Sequence, residues 1–390
     1  MTDHESEDAP RRESDDAGQR ESDETTDGGV AALRCPACDA TYADRWRCRC
    51  GAPLEYAERP LPATSDPPDA VAARLGRDGL WAFASFLPER PLVTLGEGAT
   101  PLVDAPAWDA SFKLEYVFPT GSFKDRGATT TLSRAAALGV DTVVEDSSGN
   151  AGAAVATYAA RAGIEAEIYV PADAKASKLT AIRRAGAEPV RVSGSRGDVT
   201  DACVAAVADG DAWYASHAWR PSFLAGTATV AYEIAAQRDW TAPDAVVVPV
   251  GHGTLLLGAH RGFAALAAVG WIDEVPRLYG AQAAGVAPIV ADEHGADAAA
   301  GDNDLADGIQ IAEPVRREAI RDAVTGTGGD VVALDAETVQ TELDRLHAAG
   351  FYTEPTCATA PAALRVFRER GAITSTDDVV VPLTGSGLKT

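Results

Sequence analysis

An α/β fold, with open, mostly parallel sheets carrying helices on both faces, follows from three features of the 390-residue chain. First, short β-branched runs alternate with alanine-rich stretches of helical length: "DTVVED" precedes "NAGAAVATYAARAG", "AEIYVP" precedes "KASKLTAIRRAG", and "DAVVVPV" precedes "TLLLGAHRGFAALAAV". Strands that alternate with helices pair in parallel, because each helix carries the chain back across the sheet. Second, a further strand-like run, "DDVVVPLTG", stands at the C-terminal end. Third, a 46% apolar composition over this length suffices for one large core or two smaller lobes. Sheets of this kind gather ligands at the carboxyl ends of their strands.

In chain order, residues 1–30 hold eleven acidic and three basic residues with almost nothing large and apolar. Such a segment cannot bury enough surface to offset its ordering entropy, and a disordered, solubilising tail is expected. Residues 31–58 contain four of the six cysteines: Cys35 and Cys38 in C-x-x-C, then Cys48 and Cys50 in C-x-C after nine intervening residues. Two cysteine turns joined by a short hairpin suit a tetrahedral zinc-thiolate site, a zinc ribbon, with all four positions filled and therefore structural. A redox dithiol is the alternative, but it leaves the second pair unexplained. Residues 59–90 form a linker and helix, opening on the proline-rich "ERPLPATSDPPDA", and residues 91–390 form the α/β region. Cys203 and Cys357 lie singly in apolar surroundings and read as small core residues.

The net charge of −24, from 58 acidic and 34 basic residues, argues against nucleic acid or anionic membrane as partners and favours small molecules. An acidic surface poor in lysine also stays hydrated in concentrated salt, as in a haloarchaeon. No apolar stretch is long enough to span a bilayer and the N-terminal residues are charged, so a cytoplasmic location is expected.

Only five lysines stand against twenty-nine arginines, and one of them, Lys124, lies in "TGSFKDRG". Ser122 followed by Asp125 has the spacing of a capping box, which starts a helix at Ser122 and puts Lys124 in its first turn. There the positive end of the helix dipole disfavours the ammonium, and a neutral amine is a Schiff-base nucleophile. A surface lysine at a helix start is the plain alternative. Three more strand ends bear on the choice. "EDSSGNAG" opens a helix at about Asn150 and offers Ser147, Ser148 and Gly149 to an anion. "VPVGHGTLLLG" places Gly251 and Gly253 before a helix, a cradle for a phosphate monoester. It is neither a dinucleotide fingerprint, since Leu256 stands where a third glycine is needed, nor a P-loop. "VPLTGSGLK" places Thr384 and Ser386 after the last strand.

From "LGEGATPLV" onward the chain resembles the fold-type II pyridoxal phosphate enzymes, and most closely the threonine synthases: "LGEGATPL", "PTGSFKDRG", "SSGNAG", the glycine loop and "TGSGLK" occur in that family's order. The resemblance implies two lobes, the smaller and mobile one at about residues 145–225, and homodimerisation. It implies that Lys124 carries the cofactor and later moves protons, that Asn150 bonds its phenolic oxygen, and that the amides of Gly251, His252, Gly253, Thr254 and Leu255 hold its phosphate. Thr384 would face the pyridine nitrogen, and Ser147, Ser148 and Gly149 would bind the substrate carboxylate. With O-phosphohomoserine, phosphate would leave the γ-carbon and water would add at the β-carbon to give threonine.

Substrate recognition departs from the family pattern. The arginine of the family's N-P-x-R-x-x-G-Q segment is replaced by Phe223, and its glutamine by Thr227, in "HAWRPSFLAGTAT". Arg220, close by, and His252, where the family often has asparagine, are the candidate replacements for binding the substrate's phosphate, the histidine as imidazolium. A serine or threonine dehydratase, or a β-replacing synthase of the cysteine or cysteate type, would share the scaffold. A binding module without catalysis is the third reading, disfavoured by Lys124 and the cradle together.

Overall fold

The computed structural model describes residues 29–63, 68–174, 176–210 and 212–389. Nearly all of the acidic tail, and residues 64–67 of the proline-rich linker, lie outside them. Three short antiparallel strands, β1 (Leu33–Arg34), β2 (Thr41–Tyr42) and β3 (Glu55–Tyr56), form the cysteine-bearing ribbon in the order β2-β1-β3. Ten further strands follow: β4 (Leu102–Ala105), β5 (Ala110–Lys113), β6 (Thr142–Glu145), β7 (Glu165–Pro171), β8 (Glu188–Val192), β9 (Trp213–Tyr214), β10 (Ala245–Pro249), β11 (Arg277–Ala283), β12 (Val331–Leu334) and β13 (Val379–Pro382).

The strand–helix alternation is divided between two sheets. A six-stranded sheet has the order β12-β11-β10-β13-β5-β4, parallel except where β4 runs against β5. A four-stranded sheet, β8-β7-β6-β9, is parallel throughout. Strand β10 shows why both faces of the larger sheet are covered. Val246 and Val248 pack with Leu224, Leu256 and Phe263 on one side, whereas Val247 packs with Tyr279, Leu364 and Phe367 on the other. Alternate side chains leave a strand on opposite faces, so a run of valines buries both. Each such side chain contributes about 1.5–3 kcal/mol on burial.

Three helices meet behind the cleft: Lys124–Ala137, Pro221–Ala236 and Thr254–Ala268. They approach closely because glycine stands at the contacts. A Cβ on Gly226 would lie 1.9 Å from the Arg126 carbonyl oxygen, and one on Gly127 would lie 2.2 Å from the Phe223 ring. Among the described residues, no helix is long and apolar enough to cross a membrane.

Candidate active site

Strands β5, β13 and β10 are neighbours, so the loops leaving their carboxyl ends are brought side by side. These loops carry Lys124, Thr384 and the Gly251–Gly253 turn. The segment 120–123 is stitched to the C-terminal loop: Ser122 pairs with Gly385, the Ser386 amide donates to the Gly121 carbonyl at 2.9 Å, and the Phe123 amide donates to the Thr384 carbonyl at 3.1 Å. That pairing also changes the helix start. Ser122 is held as a bridge partner, and the helix begins at Lys124, with Phe123 at the N-cap position and no side-chain cap. The expected reciprocal box is not formed. Ser122 Oγ accepts from the Lys124 amide at 3.3 Å, while the Asp125 carboxylate turns to the Thr120 amide at 2.9 Å and to the Thr120 hydroxyl.

Lys124 is half-buried, with its Nζ 3.5 Å from Thr254 Oγ1 and 4.6 Å from the centre of the Phe123 ring. Burial pushes its pKa down to about 8, against the opposing pull of Glu145 and Glu354. About a tenth of the amine is therefore neutral at pH 7, far more than for an ordinary lysine, and burial rather than the helix end is the main cause.

The Thr254 hydroxyl ties this amine to the cradle. Thr254 opens a fifteen-residue helix whose first-turn amides have no partner within the helix. Gly253 precedes it in the left-handed region, φ +72°, where a Cβ would lie 2.5 Å from Ile320. Only glycine fits there, and the turn exposes a row of amides suited to a phosphate. From the four-stranded sheet, β6 delivers Ser147, Ser148 and Gly149, and Asn150 starts a helix as expected. The Asn150 side chain donates to Glu354 at 2.9 and 3.1 Å and accepts from Lys389 Nζ at 2.7 Å. Thr384 is buried, and its amide donates to Cys357 Sγ at 3.1 Å. An amine, a glycine turn that could cradle a phosphate and a buried threonine thus stand at the ends of neighbouring strands, and this donor set fits pyridoxal phosphate.

Arg220 departs from expectation. It is buried, with Nε donating to the Tyr214 carbonyl at 2.6 Å, Nη1 donating to Asp44 of the ribbon at 2.9 Å, and its guanidinium 3.5 Å from the centre of the Trp213 ring. Asp44 also accepts from Arg134 Nε at 2.8 Å and Trp213 Nε1 at 2.7 Å. Arg220 is committed to a framework contact and is not presented to substrate. His252 differs too: burial, helped by the charge of Lys124, lowers its pKa to about 4, so it is neutral near pH 7 rather than an imidazolium. Its Nδ1 is buried without a hydrogen-bond partner.

Four residues around Lys124 escaped the sequence reading. Glu145 ends β6, fully buried, and pairs with His217 Nδ1 at 2.7 Å; the His217 ring lies 5.2 Å from that of His252. Burial, reinforced by Asp146, raises the Glu145 pKa well above the carboxylate range. Glu354 and Lys389 hold Asn150 from either side. His217 follows β9, Glu354 precedes the helix Pro355–Glu369 and Lys389 lies in the C-terminal turn, with no residue pattern to distinguish them, although "EDSS" did place an acid at a strand end.

In the ribbon, the sulfurs of Cys35, Cys38, Cys48 and Cys50 lie within 4.8 Å of one another, with Cys35–Cys50 at 3.6 Å and Cys38–Cys48 at 3.4 Å. Four thiols at that spacing can hold a tetrahedral metal ion.

Residues 93–385 match the family of pyridoxal-phosphate dependent enzymes. The chain is 33% identical over 379 residues to a threonine synthase of Methanocaldococcus jannaschii, spanning 91% of this chain and 92% of that one. It is 35% identical over 324 residues to a threonine synthase of Methanosarcina acetivorans, 80% of each. The fold is also that of a processed threonine deaminase from Solanum lycopersicum, with TM-score 0.64 and 20% identity over 93% of this chain and 94% of that one. Maize serine racemase superposes with TM-score 0.62 and 23% identity over 74% and 88% of the respective chains. By the match over residues 93–385 and the identity to these relatives, the chain belongs to the pyridoxal-phosphate dependent enzymes and, within them, to the threonine synthase family.

Proposed function

We propose that the chain converts O-phosphohomoserine and water to threonine and phosphate. Similarity to a threonine synthase across about nine-tenths of both chains, 91% and 92%, is the observation that carries this reading. Pyridoxal phosphate bound in the cleft supplies an electron sink for the charge left when a bond at the substrate's α-carbon breaks. Lys124 Nζ anchors the cofactor and moves protons at the α-carbon, a role helped by an amine pKa near 8. The amides of Gly251 to Leu255 hold the cofactor phosphate, Asn150 its phenolic oxygen, and Thr384 its pyridine nitrogen. Ser147, Ser148 and Gly149 bind the substrate carboxylate. Their loop belongs to the four-stranded lobe, whose closure would exclude water from the reacting carbons. In the ribbon, Cys35, Cys38, Cys48 and Cys50 hold a structural zinc.

The test is threonine formation and phosphate release from O-phosphohomoserine by the cofactor-loaded protein in high salt. Equal yields of both products are expected, and Lys124→Ala should lose at least about 10²-fold in turnover, the lower range for a proton-transfer group. A second reading, dehydratase or β-replacement chemistry, is favoured by Phe223 in place of the family's arginine and by the capture of Arg220 in the ribbon contact. Turnover of serine or threonine, with none of O-phosphohomoserine, would establish it.

A further inference from the structure

With Arg220 pinned to Asp44, the distal phosphate of the substrate needs another cation, and the four-stranded lobe presents one. Arg196 is the first residue of the helix Arg196–Asp209, whose start is fixed by a complete capping box between Ser195 and Asp198. Its guanidinium stands 3.5 Å from Asp146 Oδ2 as an ion pair, makes no hydrogen bond to a described residue, and leaves the side chain 45% exposed. Asp146 does not depend on it: the Thr200 and Tyr214 hydroxyls donate to its two oxygens at 2.6 and 2.9 Å.

Asp146 lies between Glu145 and Ser147, which brings Arg196 to the wall of the cleft. Glu145 grips His217, and His217 packs edge-on against His252, whose buried Nδ1 has no partner. The charges of Arg196 and Lys124 both act on each of these two histidines. Burial raises the Glu145 pKa and so disfavours its charged form on this wall.

We propose that Arg196, together with the unpartnered Nδ1 of His252, binds the phosphate on the substrate's γ-oxygen while Lys124 engages its α-carbon. The inference rests on the O-phosphohomoserine reading. It makes substrate recognition depend on the approach of the four-stranded lobe, because the cation travels with that lobe.

The experiment compares the wild-type holoenzyme with Arg196→Gln and Arg196→Lys. Steady-state kinetics on O-phosphohomoserine are run beside spectroscopic binding of L-homoserine, which lacks the phosphate, and inhibition by inorganic phosphate. Arg196→Gln is expected to raise KM for O-phosphohomoserine about 10- to 100-fold, the range for a lost charged hydrogen bond. Phosphate inhibition should weaken in parallel, L-homoserine binding should stay within about twofold, and Arg196→Lys should recover part of the loss. A KM within about twofold of wild type, or equal losses with L-homoserine, would overturn the assignment. Wild-type protein that releases no phosphate from O-phosphohomoserine fails the parent reading instead, which separates the two failures.

Discussion

Two buried polar clusters flank the start of the helix Lys124–Ala137, and they differ in how completely their atoms are paired. Around Arg126 every group is used. Its Nε and Nη2 donate to Glu115 at 2.6 and 2.7 Å, and its Nη1 donates to Thr229 at 2.9 Å and to Glu233 at 2.7 Å. Lys113 Nζ donates to the Thr100 carbonyl, Glu233 and Gln237, while Glu233 also accepts from the amides of Ala99 and Thr100. Around Glu145 two atoms have no partner, Glu145 Oε2 and His252 Nδ1. A closed network offsets the cost of burying charge only because it is complete, and it then serves as framework. An open one keeps hydrogen-bonding capacity that a ligand can take up.

The largest effect should come from opening the closed network. Arg126→Met leaves Glu115 in the core without its cation and Glu233 with Lys113 alone, and should cost about 3–5 kcal/mol in urea denaturation. A loss under about 1 kcal/mol would show that the network contributes no framework.

Acid should attack the same network. Burial alone would raise the Glu233 pKa, but Arg126 and Lys113 overcome it and bring the value to about 2. A depressed carboxylate contributes stability above its unfolded pKa of about 4.5, so this stability should drain away as pH falls from about 4.5 to about 2. Glu233→Gln should flatten that part of the pH–stability curve.

Glu145 has the opposite sign. Its folded pKa is raised, so the stability tied to its proton is complete below about pH 4.5 and is lost as pH rises toward the folded value. Glu145→Gln should therefore gain on the wild type with rising pH, by up to about 1.4 kcal/mol per unit. Parallel curves from pH 5 to 7 would place Glu145 with the closed cluster.

The smallest change concerns Lys124. The rate at which cofactor-free protein takes up pyridoxal phosphate should rise up to about tenfold per unit as pH climbs to about 8, then level off as the amine becomes neutral. A rate flat from pH 6 to 9 would remove burial as the control on this amine.

The strands and the cleft lysine were legible because their signals are local. A β-branched run, a glycine turn before a helix and a lysine in "TGSFKDRG" each occupy a few consecutive residues. The division into two sheets and the central place of β13 are not local, since pairing across sheets depends on residues far apart in sequence. The closed network was invisible for the same reason: Arg126 and Glu233 are 107 positions apart. The Ser122–Asp125 spacing misplaced the helix start because Thr120 and Gly385 compete for those residues. Arg220 was assigned to substrate from proximity in sequence, whereas its partner Asp44 lies 176 positions away.

Asp44 has a consequence for how this protein can be taken apart. One carboxylate in the ribbon joins Arg134 of the lysine-bearing helix, Arg220 at the head of another helix, and Trp213 on an edge strand. Deleting residues 31–58 would leave two buried guanidiniums without that counter-charge, so the ribbon is not a detachable module. A shortened design that dispenses with it must replace Arg134 and Arg220 in the same step, and a graft of another ribbon must supply an acid at the position of Asp44.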